Sequence, residues 1–198
     1  MIGPDLGGVR LAVARGARSI EPGGARAASV AMVLDDALDV VLIRRAEHPG
    51  DPWSGHLGLP GGRVEPDDAD RQHTAVRETW EELGLDLSAA VAFGPLDDVA
   101  SPALGPRAVV VRPFVFHVPV LPPLRPNEEV ADVLRIGLAP LLSGVGRTRF
   151  LLEWRGRRIT LPAVDVYGHR LWGMTLRVVD DLLHRIDGRG MGLERPSS

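Results

Sequence analysis

Cysteine is absent from all 198 residues, which excludes a disulfide framework, a thiolate metal site and a cysteine nucleophile. Any metal the chain binds must therefore sit on oxygen or imidazole. A strong charge of either sign is also missing. The 26 acidic and 23 basic side chains leave a formal charge of −3, which is no electrostatic footprint for a nucleic-acid backbone or an anionic membrane. Neither nucleic acid nor membrane is an expected partner. No apolar run approaches the roughly eighteen residues of a membrane-spanning helix. The segment from Met1 to Ala17 carries glycines, Arg10 and Arg15 but no apolar stretch of signal-peptide length. A cytoplasmic protein is the expectation.

What is present suffices for a sizeable core, with 44% hydrophobic residues in a chain of single-domain length. The expected organisation is an N-terminal arm over 1–27, one domain over 28–188 and a polar tail over 189–198. Pro4 to Arg26, rich in Gly and Ala, reads as either a loose arm or a short helix. Ala28 to Leu34 reads as a buried strand, Asp35-Asp36 as a turn and Val40 to Ile43 as the returning strand, together a hairpin. From Glu47 to Gly62 the chain is dense in Pro, Gly, Asp and Ser, which is loop chemistry, and so long a loop in a compact domain usually has a task. Asp67 and Asp68 are N-cap candidates for a helix that runs to Leu83 and ends at Gly84. Its Ala69, Val76, Trp80 and Leu83 fall on one stripe that should face the core. Val109 to Val120 is β-prone, and its Pro113 and Pro119 argue for an edge or a bulge. Trp172, Leu176, Val179 and Leu183 predict a packing helix from Trp172 to Ile186. No repeat or composition shift marks a second domain, and the mix of strands and helices fits α/β or α+β.

Glu78, Glu81 and Glu82 stand at i, i+3 and i+4 on the first of these helices, so their carboxylates gather on one face, roughly opposite the apolar stripe. Like charges at this spacing destabilise an isolated helix by a few tenths of a kcal/mol per pair unless a cation neutralises them. Spacing alone leaves a solvated acidic face as an equal alternative. Directly upstream, Leu59-Pro-Gly-Gly-Arg63 is a tight turn whose glycines allow close backbone approach and can offer a carbonyl to a metal. Carboxylates plus a loop carbonyl make an oxygen-only donor set, which suits Mg²⁺ or Mn²⁺ with substrate phosphates completing the shell.

Gly61 to Leu85 resembles the Nudix box, most diagnostically in Arg77-Glu-Thr-Trp-Glu-Glu-Leu-Gly-Leu85. It departs from the pattern at Asp68, where the family has glutamate, at Thr79, where it favours an aliphatic residue, and in one extra residue before Arg77. That extension also occurs in the coenzyme A pyrophosphatase branch. Val41-Leu-Ile-Arg-Arg45, the loop glycine Gly55, Asp97-Asp-Val99, Arg158-Ile-Thr-Leu-Pro162 and Leu171-Trp-Gly-Met-Thr175 are also similar to segments of that branch. Ile43-Arg-Arg-Ala46 and Asp51 to His56 differ from it.

The resemblance implies an α/β/α sandwich with a mixed sheet and a metal-dependent attack of water on a diphosphate. Coenzyme A or a derivative is the leading substrate, giving 3′,5′-ADP and a phosphopantetheine. ADP-ribose, a nucleotide sugar or a dinucleotide polyphosphate is the nearest alternative. A non-catalytic nucleotide sensor of the same fold usually lacks box glutamates, and all three are present here. By the same resemblance Glu78 and Glu82 are metal ligands, Glu81 a ligand or water-positioning group, and the Gly62 backbone a further ligand. Arg77 pairs with Asp68 or Glu82, and Glu129 is the distant acidic residue that supplies the last metal ligand or the general base. Arg44, Arg45 and Arg63 are candidates for substrate phosphates. Trp53 either stacks on a base or packs the loop, and His56 contacts phosphate. His117 and His169 read as structural, and Trp172 and Met174 as core. Homodimerisation is common among such relatives, so a second copy is a possible partner.

Overall fold

The computed structural model describes residues 3–49, 53–101, 108–154 and 156–188. The expected tail over 189–198 lies outside them, as do Asp51 and Pro52 of the long loop. Two parallel strands form the centre. β1 (Arg26–Leu34) and β7 (Val109–His117) pair from Arg26↔Val109 to Leu34↔His117. Their apolar runs are nearly continuous because both faces of the sheet are covered. Met32, Leu34 and Val115 enter one core, while Ala31, Val33, Phe114 and Phe116 enter the other. β2 (Asp39–Arg45) splits the same way, with Val40 and Leu42 on one side and Val41 and Ile43 on the other. Each such fully buried side chain contributes roughly 1.5–3 kcal/mol before chain entropy is counted.

β8 (Val130–Gly137) pairs along the outer edge of β2, while β5 (Val91–Pro95) and β6 (Val99–Ala100) pair with β7. β7 is thus an interior strand, so of the two alternatives its prolines offered the edge is not realised, while the β5–β7 ladder shows an irregularity, its register shifting between Ala92 and Gly94. Pro113 is tolerated because its missing donor falls where β5 gives way to β6: Leu96 N donates to Pro113 O, so that side of Pro113 faces the break between the two short strands. β1 and β2 pair only at Leu34↔Val40 and then splay apart. The gap is filled by β3 (Leu57–Gly58), which pairs with β2, and β4 (Gly61–Arg63), which pairs with β1.

α2 (Arg71–Leu83) covers one face of the mixed sheet. The other face is covered by α1 (Leu6–Val13), α3 (Leu138–Leu142) and α4 (Gly173–Ile186). The short helix is the alternative realised within 1–27: Asp5 caps it by accepting from Gly8 N at 2.6 Å, and Val9, Ala12 and Val13 are buried. Downstream, Arg18 and Ile20 are held by Asp97 and Asp98, whose other partners are Arg185 for Asp97 and Arg112 and Arg71 for Asp98.

Two expectations for α2 are corrected. Its N-cap is Asp70, which accepts from His73 N at 2.7 Å. Its inward residues are Thr74, Ala75, Thr79, Glu82 and Leu83, whereas Trp80 is 58% exposed. The Thr79 hydroxyl reaches the inner face by donating to Ala75 O at 2.7 Å.

Unforeseen in the sequence is a separate antiparallel sheet of β9 (Arg147–Trp154), β10 (Arg157–Val166) and β11 (His169–Trp172). Val164, Val166 and Leu171 attach it to the core beside α4. Among the described residues no helix is long and apolar enough to cross a membrane.

Candidate active site

The site begins with two glycines on β4. Gly61 has φ 148°, and a Cβ there would lie 2.3 Å from Ser29 O and 2.5 Å from Val30 Cα, so only glycine permits this approach to β1. Gly61 N then donates to Glu82 Oε2 at 2.8 Å. At Gly62 the crowding comes from a side chain instead: a Cβ would fall 2.2 Å from Glu78 Oε1. The Gly-Gly pair therefore lets the turn and two glutamates of α2 close on one another.

Glu82 does not lie opposite the apolar stripe, and the solvated acidic face that spacing left as an equal alternative does not include it. It is only 3% exposed, and burial pushes its carboxyl up to about 8. The Gly61 amide and the Arg45 charge oppose that shift, while the Glu78 and Glu129 charges add to it. Burial also raises Glu78, and Arg77 at 3.2 Å partly offsets it. Glu81 is half-exposed and accepts from Arg77 Nη1 at 3.2 Å.

Arg77 is the hub of these carboxylates. Its Nε and Nη2 donate to Asp68 at 3.0 and 3.1 Å, and Nη2 also donates to Arg63 O at 3.0 Å. The pair is with Asp68, not Glu82. Asp68 is enclosed, its side chain 1% exposed, and it accepts further from Thr74 Oγ1 at 2.8 Å and Glu65 N at 2.9 Å. Arg77 is the main cause holding the Asp68 carboxyl far below the usual carboxylate range, and Asp68 in turn raises Arg77. An aspartate in place of the family's glutamate thus still anchors the arginine.

Glu129 immediately precedes β8, where its carbonyl accepts from Ala46 N at 2.8 Å, and its charge reaches both Glu78 and Glu82. The arginines diverge. Arg45 acts on Glu82 from the α2 side of β2, whereas Arg44 alternates to the other face, with Val40 and Leu42. Arg63 is exposed at the end of β4, and the contact it makes with Arg77 is through its backbone. Trp53 and His56 join Trp172 of β11 in an aromatic cluster, with ring centroids 6.3 and 5.1 Å from it. His117 donates through Nε2 to Asp36 Oδ1 at 2.8 Å, a satisfied buried histidine. No local signal in the sequence linked Trp172 to Trp53, because the partners are more than a hundred residues apart.

Among the described residues no three acidic or imidazole side chains converge at metal-binding distances. The donor set nevertheless fits a hard divalent cation. It consists of oxygens only, with Glu82 buried and Glu78 partly buried beside it, and the Glu78 charge adds to the penalty on ionised Glu82.

The NUDIX domain family model matches residues 24–143. The chain belongs to the Nudix hydrolase family. It is 40% identical over 133 residues to the mitochondrial coenzyme A diphosphatase NUDT8 of Homo sapiens, covering 64% of this chain and 53% of that protein. The Mus musculus protein of the same name is 37% identical over 131 residues, with 64% and 60% covered. The chain thus spans between half and two thirds of the length of these curated relatives. Nudix hydrolase NudL of Yersinia pestis, uncharacterised, is 30% identical, with 74% of this chain and 72% of that protein covered. Among solved structures, MutT protein from Methanosarcina mazei Go1 superposes with TM-score 0.54 at 20% identity, covering 86% of this chain and 97% of that one. That likeness bears out the α/β fold with a mixed sheet.

Proposed function

We propose that this protein is a metal-dependent diphosphatase that cleaves a nucleoside diphosphate derivative, with coenzyme A or an acyl derivative as substrate and 3′,5′-ADP as one product. The observation that carries the chemistry is the closure of Glu78 and Glu82 on the Gly61-Gly62 turn, with the buried Glu82 carboxylate accepting from Gly61 N at 2.8 Å and Glu78 packed against Gly62. Similarity to the coenzyme A diphosphatases supports the substrate.

Glu78, Glu82, Glu81 and the Gly62 carbonyl would hold Mg²⁺ or Mn²⁺, which when bound lowers the pKa of the attacking water and polarises the phosphoryl oxygens. Arg77, locked by Asp68, fixes the carboxylates of Glu78 and Glu81 in place. Glu129, in the turn just before β8, lies close enough for its charge to act on Glu78 and Glu82, and accepts the water's proton. Arg45 balances the charge of Glu82 from within the sheet. The bond broken is a phosphoanhydride P–O bond; water's oxygen ends on one phosphorus and its proton leaves through Glu129, so no covalent enzyme intermediate is involved.

The test is product chromatography on coenzyme A, ADP-ribose and a dinucleotide polyphosphate, with and without Mg²⁺ or Mn²⁺, and with Glu82→Gln as control. Metal-dependent 3′,5′-ADP from coenzyme A, lost in the variant, supports the whole proposal. Cleavage of another diphosphate alone overturns the substrate, and no cleavage with any metal overturns the reaction.

A further inference from the structure

The β9–β11 sheet has two unlike faces. Val164, Val166 and Leu171 turn to the core. The opposite face carries Phe150, Arg170 and Trp172, because paired residues share a face and alternate ones return to it. Trp172 is the hub of this face. Phe150 meets it edge-on at 5.1 Å, His56 meets it edge-on at 5.1 Å, and Trp53 tilts against it at 6.3 Å. The Arg170 guanidinium sits 4.2 Å above the Phe150 ring.

Packing alone does not account for this arrangement. Trp53 is 44% exposed, Arg170 is exposed, and Trp172 and Phe150 are only partly covered. A cleft of about 230 Å³ opens beside Phe150 and Arg170. The acid in that cleft, Asp165, is engaged in its own turn, accepting from Gly168 N at 3.0 Å. Arg44 adds another cation on this side of β2, its buried Nε without a hydrogen-bond partner among the described residues. Open aromatic rings beside guanidinium groups suit a base and an anion together.

The position fits as well. His56 lies five residues before Gly61, a span of at most about 18 Å, and β3 and the Pro60 turn connect the two. One nucleotide derivative lying along β3 can touch both the Gly-Gly turn and the aromatic face.

We infer that Trp172, Trp53, Phe150 and Arg170 form the subsite for the nucleoside end of the substrate, the rings stacking on the base and Arg170 meeting an anionic group on the ribose. This rests on the diphosphatase reading and deepens it: the second sheet, outside the matched family segment, selects what the box cleaves.

The test is calorimetric titration of the metal-free full chain with adenosine 3′,5′-bisphosphate, adenosine and inorganic phosphate. Trp172→Leu weakens both nucleoside probes about tenfold. Arg170→Gln, an exposed position that leaves folding intact, weakens the bisphosphate about tenfold and adenosine not at all. In turnover both variants raise KM and keep kcat. A wild-type chain that does not bind the bisphosphate, or variants that bind it and turn over with unchanged KM, overturn the subsite. The two readings separate cleanly: cleavage with unaffected variants removes the subsite alone, and bisphosphate binding weakened about tenfold in Arg170→Gln without cleavage of any diphosphate removes the reaction alone.

Discussion

Alanine at Gly61 and alanine at Gly62 add the same methyl group to adjacent residues and should produce opposite phenotypes. At Gly61 the backbone has φ 148° and the new Cβ would sit 2.3 Å from Ser29 O and 2.5 Å from Val30 Cα. Neither atom can move without breaking the β1–β4 pairing. The strained conformation alone is worth about 1–3 kcal/mol, and the clash adds to it, so Gly61→Ala should destabilise by about 3 kcal/mol or more. In a domain of this size that lowers Tm by roughly 6–12 °C. Gly62 is not among the positive-φ residues, so alanine brings no backbone strain there. What it meets is the Glu78 carboxylate, at 2.2–2.5 Å. A side chain can swing away, and burial disfavours the charge of Glu78 where it sits. Displacing it relieves that penalty. Gly62→Ala should therefore keep stability within about 1 kcal/mol of wild type, in the range of an ordinary surface change, while losing divalent-cation affinity and diphosphatase activity by at least about a hundredfold. Thermal unfolding without metal and cation titration by calorimetry read the two effects separately. A Gly62→Ala protein that unfolds as early as Gly61→Ala, or that binds cations as wild type does, would refute the reasoning.

Three further outcomes follow from the same geometry. Arg77→Met takes the guanidinium from the enclosed Asp68 carboxylate, leaving it the Thr74 hydroxyl, the Glu65 amide and His73, and should destabilise by about 2 kcal/mol in urea unfolding, with Asp68→Asn in the same chain recovering part of that loss; because Asp68 is held below its ordinary value, its contribution is complete above about pH 3.8 and fades only in stronger acid. Glu82, pushed up to about 8 from 4.5, has the reverse sign: in metal-free protein its contribution is full below 4.5 and falls away as pH rises through 8. Glu82→Gln should thus raise the metal-free Tm above that pH while abolishing turnover, and cation binding by wild type near neutrality should release a proton, visible as a buffer-dependent heat. Trp80→Ala, at a position 58% exposed, should change stability by no more than about 0.5 kcal/mol, where a core tryptophan would cost several times that in the same unfolding assay.

The elements legible in the sequence are those whose environment is uniform along their length. β1, β2 and β7 are apolar on both faces because both faces are buried, and α4 shows its stripe because only one face is. α2 was legible as a helix but not in orientation. Counting apolar residues turned Trp80 inward, whereas the inner face is given to Thr74, Thr79 and Glu82, since a helix that brings a carboxylate under a glycine turn must carry polarity on its buried side. The Arg77–Asp68 pair was one of two alternatives, separable only by knowing that the segment before Arg71 folds back over the helix. The β9–β10 hairpin escaped notice because most of its length is exposed on both faces, which erases the alternation that betrays a half-buried strand. Pro113 left an edge and a bulge equally open for a related reason: its missing donor matters only if a neighbour asks for it, and the neighbour there is interrupted.

The splay between β1 and β2 has a consequence for how this scaffold can diversify. The Leu59-Pro60 connection that leads into Gly61 and Gly62 is held at one end by β3 on β2 and at the other by β4 on β1, so it is suspended between two fixed rails. The loop that leaves β2 at Arg45 returns to the same strand at Leu57, where Arg44 pairs with Leu57. Residues inserted, deleted or exchanged between those points transmit little displacement to the turn beyond them. Selectivity and reaction chemistry can therefore drift independently, the first in the loop and the hairpin sheet it touches, the second under the restraint of the rails.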